Sequence, residues 1–455
     1  MKIRIGNSPA LRRLALPQSA LRQSALLLKL ASPLLLLLTS AEAQVDVLIT
    51  PPDSDFTIAA PPLCSTSSGE LAAATLAAKT VATDMLVTGK YRAQGPDAHP
   101  TPLGDCSAAD GGPFTADLNG RGINILVSGK TRFADDRGRL AVFDFYAYDV
   151  AQAKAVIGKR YEGRSDEAPN FAHQFANELY AYLTGEAGPF GSKIVFTANT
   201  GGVRELYALR LGTAEATQLT EEKGQATAPS WSPSGDKIIF TLQKKSATDL
   251  FTIPSAGGRA QRITFLPGSE KRPRISRDGK QILSSVEISG AESLALFNFR
   301  GRLMEKLTES DANDIDPAWS PDGSHIAFAS NRDGRWTIYR LAANGGDARP
   351  LVQKKGSDCR SPSWSPDGKL LAVSCTVGSE HQLFLQNLAS NELTQLTFKG
   401  DNTAPSFSPD GRFLVYRTVA AGRSDGDIAI FSLPALRTTL VLQTPTDDDD
   451  PSWAP

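Results

Sequence analysis

An excess of either charge is missing from this 455-residue chain, where 48 basic against 49 acidic side chains leave a formal net charge of −1. No global field draws it to nucleic acid or to an anionic membrane. Cysteine and histidine are scarce, with four of each. Cys64, Cys106, Cys359 and Cys375 make no close cluster with His99, His173, His325 or His381 of the kind that holds zinc. Beyond the first forty residues every apolar stretch is short or broken by charge, which excludes a bundle of membrane helices. The apolar fraction of 41% and charged fraction of 21% are those of a globular protein, long enough for two or three domains.

The start of the chain carries Arg12, Arg13, Arg22 and Lys29, then an apolar run from Leu30 to Leu38, then Ala41-Glu42-Ala43. Residues 1–43 read as a signal peptide, because the apolar run is roughly half of the ~20 residues that span a bilayer. The Arg12-Arg13 pair leaves both the general and the twin-arginine export routes open. No cysteine follows the cleavage site, which argues against a lipid anchor. The mature chain is expected outside the cytoplasm without membrane insertion, in a compartment where cysteines oxidise.

A motif recurs about every forty-four residues, in six copies. The copies begin at Pro229, Pro273, Pro317, Pro362, Pro405 and Pro451; the third reads Pro317-Ala318-Trp319-Ser320-Pro321-Asp322-Gly323. Each full copy leads into an alternating run such as Lys237 to Leu242 or Phe413 to Thr418, followed by two more short runs. Four strands at this period are the mark of a propeller blade. Asp-Gly suits the turn between a blade's first and second strands. The leading Pro suits the start of an innermost strand, and the aromatic suits the wedge between blades. Lys193 to Ala198, Glu205 to Leu211 and Thr217 to Thr220 lack a first strand, while Pro451 to Pro455 is a first strand with nothing after it. The two are expected to complete one blade and close the ring.

Residues 44–187 do not repeat. A helix is expected from Gly69 to about Asp84, and strands over Ile123 to Phe133, Arg139 to Tyr148 and Lys154 to Tyr161. Phe171, Phe175, Leu179 and Leu183 mark a second helix ending at Gly185. The expected fold is thus a small α/β domain over 44–187 and a six-bladed β-propeller over 188–455, a two-domain α+β chain.

This combination resembles the TolB family of the Tol-Pal envelope system. More specific than the shared blade motif are Ala172-His173 through Leu183-Thr184-Gly185, Gly188-Pro189-Phe190, and Gly122-Ile123-Asn124 through Val127-Ser128-Gly129. The resemblance implies a periplasmic, non-enzymatic adaptor. Its propeller would bind the peptidoglycan-associated lipoprotein Pal, and its N-terminal segment the inner-membrane protein TolA, in support of outer-membrane integrity and constriction at division. It also implies a mobile arm near Val45, Asp46, Asp53 and Asp55; the alternative for that segment is an edge strand of the first domain. One departure stands out, since the second motif carries Ile275 and Arg277 where other copies have an aromatic residue and Pro.

Residues just ahead of the motif prolines should ring one end of the channel. Asp314, Asp316, Asp401 and Asp450 are expected to meet Lys271 and Arg272 there as a charged rim that orients a partner. By the resemblance Asp316 stands where the family contacts Pal, and Ser269 stands where the family has a histidine. Cys359 and Cys375 lie eight residues to either side of Asp367, so a hairpin centred there would set them opposite each other, as a disulfide or as two packed thiols. The sequence offers no geometry for Cys64 and Cys106. Asp447 to Asp450 reads as a metal ligand set, a recognition patch or a solvated loop.

Gly422-Arg423-Ser424-Asp425-Gly426 matches a nucleophile elbow in letters, but it lies between two strand runs and reads as a hairpin turn. A reading of another class is a propeller lyase or hydrolase acting on polysaccharide through channel-facing carboxylates and a metal. The leading reading needs no cofactor and expects a monomer.

Overall fold

The structure, a computed structural model, describes residues 56–455 apart from 104–105, 108–116, 214–215, 246, 289, 310 and 443–445. Residues 1–43, expected to be a leader, and Val45, Asp46, Asp53 and Asp55, expected in an arm, lie outside the described residues.

The first part contains β1 (Thr57–Ala59), α1 (Ser68–Val87), β2 (Arg92–Gln94), α2 (Asp117–Gly120), β3 (Ile123–Phe133), β4 (Leu140–Asp149), β5 (Lys154–Arg164) and α3 (Ala168–Thr184). The strands form one sheet in the order β2-β1-β3-β4-β5. Helix α1 starts in a capping box, with Ser67 Oγ accepting the Glu70 N–H and Glu70 accepting the Ser67 N–H. Burial alone would raise the Glu70 pKa, but N–H donors from Phe133, Thr66 and Ser67 pull it down to about 2. That carboxylate therefore pins the helix start to the end of β3. Helix α3 ends at Gly185, whose φ of 77° is the left-handed cap that glycine adopts without steric cost. Its buried stripe of Ala172, Phe175, Ala176 and Leu179 packs with α1 over β3 and β4, the Phe175 ring lying 4.9 Å from that of Phe145. A disulfide joins Cys64 to Cys106.

The second part is a ring of six four-stranded blades. The first, for example, contains Gln225–Trp231, Lys237–Lys244, Ala247–Pro254 and Gln261–Arg262. Asp447–Trp453 is the innermost strand of the sixth blade and pairs with Lys193–Thr200, so residues from both ends of the propeller close the ring. The motif turns repeat one geometry. In the third, Ser320 Oγ accepts the His325 N–H at 2.9 Å and donates to Asp322 at 2.6 Å, while Gly323 takes φ 73°. The motif aromatics fill the seams. Trp231 packs with Val195 and Leu206 of the sixth blade, and Trp453 with Phe413 and Val415 of the fifth. Each such burial contributes on the order of 2–3 kcal/mol.

Two expectations need correction. The motif proline does not start its strand; it lies well inside it, as in Asp314–Trp319 with Pro317 fourth. Asp447 to Asp450 is neither a solvated loop nor a metal set. These residues form the closing strand, where Asp447 meets Arg204 at 2.7 Å and Arg417 at 2.8 Å, and Asp448 is fully buried. Among the described residues no group of three or more His, Cys, Asp or Glu is arranged to hold a metal ion.

Where the two parts meet, Asp84 of α1 accepts from His173 Nδ1 of α3 at 2.8 Å, with both side chains buried. Burial pushes Asp84 up to about 6, with the His173 contact acting in the opposite direction. Gly212 of the sixth blade covers the pair so closely that a Cβ there would fall 1.7 Å from Asp84 Oδ1.

Candidate functional site at the propeller channel

The residue before each motif proline is not glycine, yet in all six blades it takes the left-handed conformation. The φ values are 50° at Ala228, 53° at Arg272, 54° at Asp316, 53° at Ser361, 52° at Ala404 and 47° at Asp450. The ladder is interrupted at each of these points, for example between Lys271 and Arg274 and between Asp449 and Ser452, so each inner strand bulges into the channel. Such a conformation costs an L-residue roughly 1–2 kcal/mol. Hydrogen bonds between blades offset the cost. The Ala228 N–H donates to Asp450 at 2.9 Å, the Arg272 N–H to Thr241 at 3.0 Å and the Ser361 N–H to Asp316 at 3.1 Å.

Three of the sequence-predicted residues are brought together by these bulges. Arg272 Nε lies 2.8 Å from Asp316 Oδ1 and its Nη1 lies 3.7 Å from Asp450 Oδ1, tying blades two, three and six together across the channel. Asp316 above all, against the cost of burial, raises the Arg272 pKa. Behind this plug Asp449 is pushed up to about 6, first by burial and then by the Asp450 charge, although Arg204 and Arg417 each approach it to 3.6 Å.

The other predicted rim residues do not converge. Asp314 is fully buried and held by Arg332 through both oxygens at 3.1 Å. Asp401 accepts from the His381 backbone N–H at 2.6 Å and from His381 Nδ1 at 2.8 Å, in the neighbouring blade. Lys271 is bound to Glu292 at 2.6 Å and Glu287 at 3.2 Å. Ser269 sits in the ladder opposite Glu287. The cause is the bulge, because a left-handed residue breaks the two-residue alternation that would have put Asp314 and Asp316 on one face. Asp316 itself is only 5% exposed and is not a surface charge. Cys359 and Cys375 stand opposite each other and are joined by a disulfide, with Cα atoms 4.1 Å apart.

On the motif side of the plug lies an open cavity of about 480 Å³, walled by motif residues of all six blades. Aromatic rings and prolines alternate with serines in its walls, and the Arg272–Asp316–Asp450 plug gives it a charged floor. Trp319, expected from sequence as a wedge between blades, and Arg274, for which the sequence suggested no role, also line it. Gly422 to Gly426 links the antiparallel strands Phe413–Val419 and Asp427–Ser432 with no helix after it, so it lacks the strand-to-helix turn of a nucleophile elbow.

A closed six-bladed ring with a walled channel cavity, preceded by a small sheet-and-helix unit, defines a channelled β-propeller protein. The TolB beta-propeller domain family model matches residues 174–287 and 266–455. The chain belongs to the TolB family. It is 32% identical over 151 residues to the Tol-Pal system protein TolB of Geobacter metallireducens, covering 33% of each chain. To the protein TolB homolog of Chlorobium luteolum it is 34% identical over 115 residues, 25% of this chain and 26% of that one. The matched span is thus a third or less of these relatives' length. The crystal structure of TolB from Acinetobacter baumannii superposes with a TM-score of 0.74 at 21% identity, covering 91% of this chain and 100% of that one, which shows the shared fold.

Proposed function

We propose that the protein is a periplasmic adaptor of the Tol-Pal envelope system, without enzymatic activity. Its propeller would hold a Pal-like peptidoglycan-associated lipoprotein at the channel cavity, and the segment ahead of residue 56 would engage a TolA-like inner-membrane protein. In this role it supports outer-membrane integrity and constriction at division. Two features support the reading: membership of the TolB family, and an open cavity walled by all six blades above the Arg272–Asp316–Asp450 plug. No helix among the described residues is long and apolar enough to cross a membrane. We further propose residues 1–43 as a leader, 44–187 as the first domain and 188–455 as the propeller. Affinity isolation of the protein from envelopes is the test. Co-purification of a small peptidoglycan-binding lipoprotein is the expected result; its absence, together with chelator-sensitive cleavage of an oligosaccharide, would replace the adaptor with a propeller lyase or hydrolase.

A further inference from the structure

The second blade departs from the others where it faces the cavity. Two residues after the left-handed position the other copies have Ser230, Ala318, Ser363, Ser406 and Ser452, and the second has Arg274. Arg274 makes one hydrogen bond, from Nη1 to the carbonyl of its neighbour Pro273 at 2.9 Å. The two floor carboxylates are taken by Arg272. Burial, and then the Arg272 charge, lower the Arg274 pKa against a weaker opposite pull from Asp450 and Asp316, so this cation sits in a place that disfavours it. An added anion would offset the repulsion from Arg272.

A second unused donor stands in the adjoining wall. At two other seams the motif indole N–H reaches the carbonyl of this same position in the preceding blade, Trp231 to Ser452 at 3.0 Å and Trp364 to Ala318 at 3.3 Å. For Trp319 the corresponding carbonyl belongs to Arg274. That bond is not made, and Trp319 Nε1 is buried with no acceptor. A buried donor left unpaired is costly and rare, so Trp319 stands to gain from an acceptor brought to this wall. Arg274 supplies a planar fork suited to a carboxylate, and Trp319 a third N–H.

We propose that Arg274 and Trp319 form a carboxylate subsite in the channel cavity, filled by an Asp or Glu side chain that the protein partner inserts there. This rests on the adaptor reading for the source of the carboxylate, but not for the subsite itself. The test has two arms. In the first, sodium acetate is titrated into the ¹⁵N-labelled protein while the tryptophan indole N–H signals are followed, Trp319 being assigned through Trp319→Phe. A saturable shift of the Trp319 signal in the wild type, absent in Arg274→Ser, is expected; an unmoved signal in the wild type overturns the subsite. Arg274→Ser installs the residue that four other blades carry, so the ring tolerates it.

In the second arm, calorimetry measures binding of the purified Pal-like lipoprotein. Arg274→Ser should weaken it ~30-fold or more, as loss of a desolvated charge partner does, and Arg274→Lys less. Unchanged affinity in Arg274→Ser, with the acetate response intact in the wild type, overturns the partner as the carboxylate's source. A wild type that responds to acetate but binds no such lipoprotein sinks the adaptor reading and leaves the subsite standing.

Discussion

Replacing Glu270 with glutamine should remove one definite share of the stability that the wild type loses as pH rises towards 7. Glu270 begins the second blade's inner strand and is fully buried. One carboxyl oxygen accepts from Thr264 Oγ1 at 3.0 Å and the other has no partner. Burial raises its pKa from 4.5 to about 7. The folded state therefore holds a proton that the unfolded chain releases near pH 4.5, so stability is fully present below that pH and falls as pH rises towards 7. A shift of this size corresponds to about 3 kcal/mol, most of it lost between pH 5 and 8. Glutamine keeps the acceptor and removes the titration. At pH 8 Glu270→Gln should therefore melt roughly 5 °C above the wild type, and at pH 4.5 the two should coincide. Differential scanning calorimetry of both proteins across this range measures the difference, in which all other titrating groups cancel. A melting difference that stays constant with pH would refute the reasoning.

Asp316→Lys should destabilise the ring by about 3 kcal/mol, because it takes the partner from Arg272, adds a second cation beside it and removes the acceptor of the Ser361 N–H. Urea unfolding followed by tryptophan fluorescence tests this; a change within about 0.5 kcal/mol would show that the plug is structurally idle. Thiol titration of the denatured, unreduced protein should find no reactive thiols at Cys359 and Cys375. Replacing both by serine should cost about 3 kcal/mol, the closure entropy of a loop with the 16-residue separation between them, again read by urea unfolding.

The ring, its closure and the two long helices were legible in the sequence because each rests on a strong periodic signal: the motif, its truncated last copy, and the spacing from Phe171 to Leu183 ending at Gly185. The short strands β1 and β2, three residues each, carry no such signal. The charged site was legible only in part. Strand alternation is the rule that assigns faces from sequence, and the left-handed residue ahead of each proline breaks it, so Arg272, Asp316 and Asp450 converge while Asp314 and Asp401 turn away. The cysteine pair is instructive. Trp364 pairs with Leu371, a turn centred between Asp367 and Gly368, and the bulge at Ser361 and Pro362 then shifts the register by one. Counting from Asp367 sets Cys359 against Cys375 only because these two irregularities cancel. Arg274 carries no signal within its own copy of the motif; only in the aligned six copies does it stand out, as the one basic residue among serines and an alanine.

The seam between Asp447–Trp453 and Lys193–Thr200 pairs residues as far apart in sequence as Ile194 and Trp453. Loop closure over that span costs on the order of 5 kcal/mol of chain entropy before any contact across it is made. During folding, five blades can therefore assemble while the sixth still presents Lys193–Thr200 as an unpaired, largely apolar edge. In that interval the same edge is open to the equivalent strand of a second molecule, and exchange of closing strands would give a dimer with every native pairing intact. Kinetic competition between self-closure and exchange is thus written into the topology, and the concentration at which the protein is produced decides which one wins.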